Sequence, residues 1–520
     1  MSRRALLSLG AIAAIVTVAG TAAPSGARVR RDDPRPNIVL VMSDDQTLAQ
    51  FQATIFGDLF HHRDEWTRFS NFIVTTPVCC PSRATLLTGE YAHNHGARSN
   101  LPGYPDLLEK QNILPNWLRD SGYFTAHVGK YLNSYTLGVR PKATPPPGWD
   151  EWRSLISPQY FGYPYSINGR ARVANETSAS NVTSFVNRQA LKVIDQRIPE
   201  PQPLYLQVDH YAPHATGEAD PAGRCGHKAA IPVGIDDDKL TDLPVPDPPS
   251  INEDVSDKPR YLRLRPELSP EQLAEEARAY RCAAASLLAV DRGLERIRER
   301  IAQLGELDNT AFIFTSDNGY FYGEHRMYTT KYAAYEEAVH LPLAIRYPPS
   351  MLTRPVVKRS NAAVANIDLA PTILDLADAV PCYESCRVLD GLSLAPLMRS
   401  AAADSDWPDP RPLGVEFQDQ RGHVGTALPC EYRAVRVDRE VFIENLSQAV
   451  AAPWTCEDEV ALEHYDLASD PYQLDNLYPP SGGQAPSDRQ LELRRLALEL
   501  SDCAGIEGRD PAPSSGHYCG

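Results

Sequence analysis

The 520-residue chain carries 51 Lys and Arg against 67 Asp and Glu, a formal net charge of −16, and 42% of it is hydrophobic. An acidic balance of this size excludes duplex DNA and anionic membrane surfaces as partners, because either calls for a broad basic face. It leaves room for a local basic pocket, and the length suffices for a large buried core in about two to four domains.

At the N-terminus, Arg3 and Arg4, an apolar run over 5–23 and the small residues Ser25, Gly26 and Ala27 have the layout of a cleaved secretory signal over 1–27. The stretch from Ser2 to Leu7 also resembles a twin-arginine export signal. Gly10, Thr17 and Gly20 interrupt the run, which favours cleavage over a membrane anchor. The mature chain is therefore expected to be secreted, periplasmic or at the cell surface. Its ten cysteines then point to disulfides. Sequence does not determine connectivity; outside Cys79 and Cys80, a preference for short loops selects Cys225–Cys282, Cys382–Cys386, Cys430–Cys456 and Cys503–Cys519.

Asn37 to Met42 (NIVLVM) is an apolar, partly β-branched run suited to a strand buried on both faces, and it ends in Ser43-Asp44-Asp45. Residues 79–89 read CCPSRATLLTG. Pro81 suits the first helical position and Gly89 the stop, which sets Cys79 just before a helix N-terminus, where partial positive charge favours anions and lowers a thiol pKa. The run Tyr123–Val128 leads into Gly129-Lys130, and Leu204–Val208 into Asp209-His210 and on to Pro213-His214. Pro145 to Trp149 is a loop, and Thr216–Pro266 is an acidic, proline-rich surface excursion that Cys225–Cys282 would pin. Ser269-Pro270-Glu271-Gln272 is a capping box that opens an amphipathic helix to about Leu304. A second buried strand, Thr310–Thr315, ends in Ser316-Asp317-Asn318-Gly319, matching the first, and the Leu341–Tyr347 run follows Lys331. Ile367 to Thr372 starts a helix. After a linker over 404–412, the alternating runs Tyr432–Val437 and Glu440–Glu444 suggest an antiparallel sheet closed by a helix over Asp488–Leu500.

Strands alternating with helices predict an α/β fold, with a large, mainly parallel mixed sheet sandwiched by helices over 28–403 and a smaller C-terminal α+β unit with an antiparallel sheet over 404–520. Ligands of such sheets bind at the carboxyl ends of the strands. There, Asp44, Asp45, Asp317 and Asn318 offer hard oxygen ligands, suited to Ca²⁺ or Mg²⁺ rather than zinc. Either pair alone reads as turn residues; together with the cysteine segment they read as one site. Lys130, His214, Lys331 and Arg83 would make that edge a pocket for a tetrahedral anion, a phosphate or sulfate ester.

The segments Cys79-Cys80-Pro81-Ser82-Arg83 and Leu87-Thr88-Gly89, with NIVLVMSDDQ at 37–46, GKYLNSY at 129–135, PPPGWDEW at 145–152, TSDNGYFYGEH at 315–325 and YDLASDPYQLDNL at 465–477, resemble the sulfatase family of the alkaline phosphatase superfamily. GKYLNSY, PPPGW and GELDNTAFIFTSDNGY are especially similar to the branch of N-acetylglucosamine-6-sulfatases and related arylsulfatases. The resemblance implies an alkaline-phosphatase-like fold and oxidation of Cys79 to formylglycine by a formylglycine-generating enzyme. The aldehyde hydrate would attack sulfur with one hydroxyl and expel sulfate with the other. It implies Asp44, Asp45, Asp317, Asn318 and residue 79 as Ca²⁺ ligands, Arg83 holding the nucleophile, Lys130 and Lys331 on sulfate oxygens, and His214 on sulfate or protonating the leaving alcohol. Leu132 stands where many sulfatases carry a histidine; His93 and His95 in YAHNHG are candidate substitutes. The substrate would be a sulfated sugar of glucosamine-6-sulfate type or an aryl sulfate. A phosphomonoester or phosphodiester hydrolase of the same superfamily and a non-catalytic sulfated-glycan-binding protein are the rivals. Asn175, Asn181 and Asn445 lie in glycosylation triplets, and oligomeric state is not legible.

Overall fold

The computed structural model describes residues 33–520 except 54, 57–64, 139–140, 142, 178–179, 226–227, 401–406, 420–427, 450–454 and 479–484; the signal expected over 1–27 lies outside them. A ten-stranded sheet forms the middle layer. At its centre runs Asn37–Ser43, buried throughout, with Leu204–Asp209 and Thr310–Ser316 as parallel neighbours on its two sides. Phe124–Gly129 and Glu151–Leu155 extend the parallel part. Antiparallel pairing continues it on both sides: Leu343–Arg346 and then Thr67–Phe69 beyond one, Pro164–Ile167 and then Arg170–Val173 beyond the other, each strand reversed relative to the one before it. The Leu341–Tyr347 run is thus a strand, but it starts at the edge where the parallel strands end, because it returns directly from the loop that carries Lys331.

The central strand shows why its sequence is apolar at successive positions. Ile38, Leu40 and Met42 enter one core with Leu86 and Leu87 of the helix Cys79–Thr88 and with Leu369 and Ile373 of the helix Leu369–Ala377. Val39 and Val41 enter the opposite core with Val186 and Ile194 of Val182–Arg197 and Leu287 and Val290 of Pro270–Gln303. Side chains alternate across a strand, so helices on both faces demand apolar residues at odd and even positions alike. Ser269 and Gln272 form the expected capping box, with proline at the first turn of the long helix.

The C-terminal sheet is antiparallel, Leu413–Gln418, Pro429–Val437, Glu440–Ala449 and Cys456–Asp466 in spatial order, and Leu493, Ala497 and Leu500 of the helix Asp488–Leu500 pack against it. Its core is shared. Val415, Tyr432 and Phe442 lie in one cluster with Val78, Tyr91, Phe321 and Tyr335 of the first 340 residues. The 216–266 excursion holds a 3-10 turn at Gly234–Asp236 and a single helical turn at Arg260–Arg263. The four expected disulfides are all formed, and Cys79 and Cys80 remain buried thiols. Two glycosylation triplets are structural instead: Asn181 is the buried N-cap of Val182–Arg197, and Asn445 is a buried strand residue bonded to Glu463.

Candidate active site

Sheet register assembles the site. Ser43 pairs with Ser316, Met42 with Asp209 and Gly129 with Asp209, so Asp44-Asp45, Asp317-Asn318, Asp209-His210 and Lys130 all emerge at one edge. Gly129 is required there: with φ at +112°, a Cβ would stand 1.9 Å from the Asp209 carbonyl oxygen. Asp45 turns out of its strand at φ +70°, a conformation aspartate tolerates, and its amide donates to Asp317 Oδ1 at 3.1 Å.

The Cys79 helix differs from expectation by two positions. Cys79 is itself the first helical residue, Val78 is the N-cap and Pro81 is third. First-turn amides have no intrahelical partner, so proline is tolerated throughout that turn. Gly89 ends the helix in the left-handed region at φ +69°, as expected. The thiol also departs from expectation. Burial outweighs Lys130 and Lys331, Asp44 and Asp317 add to it, and the thiol is pushed up to about 12. As a plain cysteine it is a poor nucleophile at neutral pH.

Around it the candidate residues converge. Lys331 Nζ donates to Cys79 Sγ at 2.8 Å and also to Asp45 Oδ1; Cys79 Sγ lies 3.5 Å from Asp44 Oδ1, and Lys130 Nζ donates to Asp44 Oδ2. One turn along the helix, Arg83 donates from Nε to Asp317 Oδ2 at 2.7 Å and from Nη1 to the Lys130 carbonyl at 2.9 Å. His214 donates from Nδ1 to the Ala215 carbonyl, which leaves Nε2 3.6 Å from Asp45 Oδ2. Burial opposes ionisation of Asp44 and Asp45, yet Lys130 beside the first and Lys331 beside the second, with His214 near both, hold both carboxyls below their usual range. Burial likewise opposes the ammoniums, and the same carboxylates hold both lysines above theirs. The His214 imidazole is lowered by burial.

The donor set fits a divalent cation. Ligand atoms of Asp44, Asp45, Cys79 and His214 lie within 4.8 Å of one another. Asn318 donates from Nδ2 to Asp45 Oδ1 at 2.6 Å, while its buried Oδ1 has no hydrogen-bond partner. Asp317 is more committed, one oxygen to the Asp45 amide and the other to Arg83. Four carboxylates are buried here, Asp44, Asp45, Asp209 and Asp317, against the three cations Arg83, Lys130 and Lys331. The edge is therefore one negative charge in excess, and a divalent cation would turn it one positive, the sign that holds a monoanionic ester.

Sequence reasoning did not assign a role to Asp209. Its Oδ2 lies 3.4 Å from Arg83 Nη1 and accepts from His127 Nε2 at 3.1 Å and Gln207 Nε2 at 2.8 Å. His127 in turn is walled by Trp152, Tyr131 and Trp149, with ring centroids 4.9, 5.1 and 5.2 Å away, so GKYLNSY and PPPGWDEW build one aromatic wall behind Lys130. The one available signal was the position of Asp209 at a strand end, like that of Asp44. Leu132 is buried in the same core. The proposed substitutes are committed elsewhere: His93 to Glu416 and the Cys503 carbonyl, each at 2.9 Å, and His95 to Thr85 Oγ1 and the Ala97 amide, each at 3.1 Å.

Fold and edge together define a hydrolase of a tetrahedral anionic ester. The Sulfatase family model matches residues 36–379, a span that contains every site residue above, and the chain belongs to the sulfatase family of sulfuric ester hydrolases. It is 30% identical to an arylsulfatase of Volvox carteri over 92% of this chain and 76% of that one. It is also 30% identical to the N-acetylglucosamine-6-sulfatase of Homo sapiens, over 92% and 86%. Among solved structures, BT4656 in complex with its substrate D-glucosamine-2-N,6-O-disulfate superposes with a TM-score of 0.69 at 21% identity, covering 90% of this chain and 97% of that one; at this identity the likeness speaks for the fold. No helix among the described residues is long and apolar enough to cross a membrane.

Proposed function

We propose that this protein is an exported enzyme that hydrolyses a sulfate ester on an amino sugar of glucosamine-6-sulfate type, or an aryl sulfate, using a formylglycine made from Cys79 and a bound Ca²⁺ or Mg²⁺. The observation that carries it is the place of Cys79: buried at a helix N-terminus, in contact with Lys331 and Asp44, among residues able to hold a metal ion. Asp44, Asp45, Asp317, Asn318 and residue 79 would hold the metal, with His214 within reach. Bound there, the metal would polarise a sulfate oxygen and the attacking hydroxyl. A formylglycine hydrate at residue 79 would supply two hydroxyls, one to attack sulfur as the S–O bond to the leaving alcohol breaks and one whose deprotonation would expel sulfate and restore the aldehyde. Arg83 fixes residue 79 relative to Asp317. Lys130 and Lys331 neutralise sulfate oxygens, and His214, oriented through Nδ1, presents Nε2 to a sulfate oxygen or to the leaving alcohol.

The partners implied are a sulfated sugar or small sulfate ester and a formylglycine-generating enzyme that recognises the segment from Cys79 to Arg83. The catalytic unit spans 28–403 and the C-terminal unit 404–520, with a 1–27 export signal. Mass analysis of the peptide carrying residue 79, from protein made in its native host, is expected to show the aldehyde; intact thiol throughout would refute the mechanism. Cys79→Ala is expected to abolish turnover of 4-nitrophenyl sulfate with the fold intact. A large preference for 4-nitrophenyl phosphate or bis(4-nitrophenyl) phosphate over 4-nitrophenyl sulfate would sink the assignment.

A further inference from the structure

We propose that the cleft beside Lys331 is a subsite for a second anionic group, sulfate or carboxylate, on the glycan whose sulfate ester is cleaved. The subsite presupposes the sulfated-sugar reading above and adds what the neighbouring positions of that sugar must carry. Lys228, Arg265 and Arg326 line a cleft of about 210 Å³ whose remaining polar wall includes Gln272, Tyr328 and Thr329. Two connections tie it to the active site. Thr330, also on its wall, immediately precedes Lys331. Ala229, next to Lys228, bridges to Thr216, two residues past His214. Lys228 in addition lines a smaller recess whose wall includes Asp45. On the proposed placement, a ring held by its ester at residue 79 would have this cleft on its Lys331 side.

The chemistry of the wall selects an anion. In a chain of net charge −16, three cations share this wall with one carboxylate, Glu267. Glu267 is 68% exposed and meets Arg326 at 3.3 Å, a surface pair of small worth. Nearby Glu276 bonds Thr329 Oγ1, and burial pushes its carboxyl up to about 7, which weakens its opposition to a bound anion. Arg326 is held in place by the Glu253 and Arg265 carbonyls, and Arg265 donates to the Arg326 carbonyl. Two guanidinium planes fixed by backbone contacts suit the planar or trigonal faces of carboxylate and sulfate. Exposed Lys228 adds a mobile charge at the rim, and the hydroxyls of Tyr328 and Thr329 suit a sugar.

The test uses calorimetric binding to the full-length Cys79→Ala protein, with glucosamine 6-sulfate and glucosamine 2-N,6-O-disulfate as the two ligands. The disulfate is expected to bind roughly tenfold tighter, as one additional charge-assisted contact would give. Adding Lys228→Glu or Arg326→Gln is expected to remove most of that preference. Lys228 is exposed, so its replacement does not put folding at issue. A preference that neither substitution moves would overturn the subsite while leaving the sulfated-sugar reading in place. Absence of binding by both sugars to the Cys79→Ala protein would instead overturn that reading and the subsite with it.

Discussion

Arg83 reaches three of the four buried carboxylates at the active-site edge: Asp317 at 2.7 Å, Asp209 at 3.4 Å and Asp44 at 3.9 Å. A lysine could meet one of these but has no planar fork to span the rest. Arg83→Ala leaves buried negative charge uncompensated, so unfolding free energy is expected to fall by about 3–5 kcal/mol in denaturant titration, with turnover lost. Arg83→Lys is expected to recover part of the stability and little of the turnover; full activity in the lysine variant would contradict the role. His93 gives a pH dependence. Burial works against its charge, but Glu416 and the Cys503 carbonyl face its two ring nitrogens and raise it to about 9. A group raised in the folded state contributes fully below its unfolded value of 6.5 and loses the contribution as pH climbs through the folded value. Between pH 6.5 and 9 the wild type is thus expected to lose stability on the order of 3 kcal/mol from this contact, and His93→Asn should show a flatter profile. At this scale the sequence was half legible. Asp44, Asp45, Asp317 and Asn318 stood out as strand-end pairs, whereas the hydrogen bonds of His127 and Asp209 span 82 residues and leave no local pattern to find.

Lys331 depends on an element far from it in sequence. Tyr332 has φ at +90°, an unusual conformation for a bulky residue. It is held by the Tyr432 hydroxyl, which donates to the Tyr332 carbonyl at 2.8 Å, and by the Phe417 ring, 5.5 Å from its own. Both belong to the C-terminal sheet, which thereby sets the path of the backbone into Lys331. Tyr432→Phe is expected to lower stability by about 1 kcal/mol and to raise KM for a sulfate ester several-fold through looser placement of Lys331. An unchanged KM would show that the loop holds itself. Helix and strand positions were legible from periodicity and capping, the Ser269–Gln272 box above all. The antiparallel return of Leu343–Arg346 was not, since direction depends on which strand a segment joins. Nor was the place of Cys79 inside its helix, because proline fits several first-turn positions.

Across the whole molecule, the excess of buried carboxylates over cations predicts that a divalent ion stabilises the fold. Chelation is expected to lower the melting temperature and added Ca²⁺ to restore it, with about 2.7 kcal/mol at a hundredfold excess over the dissociation constant. A melting curve indifferent to both would argue against a metal at this edge. The α/β architecture was legible in the alternation of apolar runs, but the core common to the main fold and the C-terminal sheet was not, because apolar alternation shows that a face is buried and not what buries it. That common core bears on the order of synthesis. Val78 and Tyr91, on either side of the Cys79 helix, pack in one cluster with strands from 413–466, which leave the ribosome after every residue of the site. Cys79 is 1% exposed in the finished fold, so the enzyme proposed to alter it would have to reach it before folding is complete. On the proposed maturation of Cys79, the last sheet to be made would mark the end of the interval open to it.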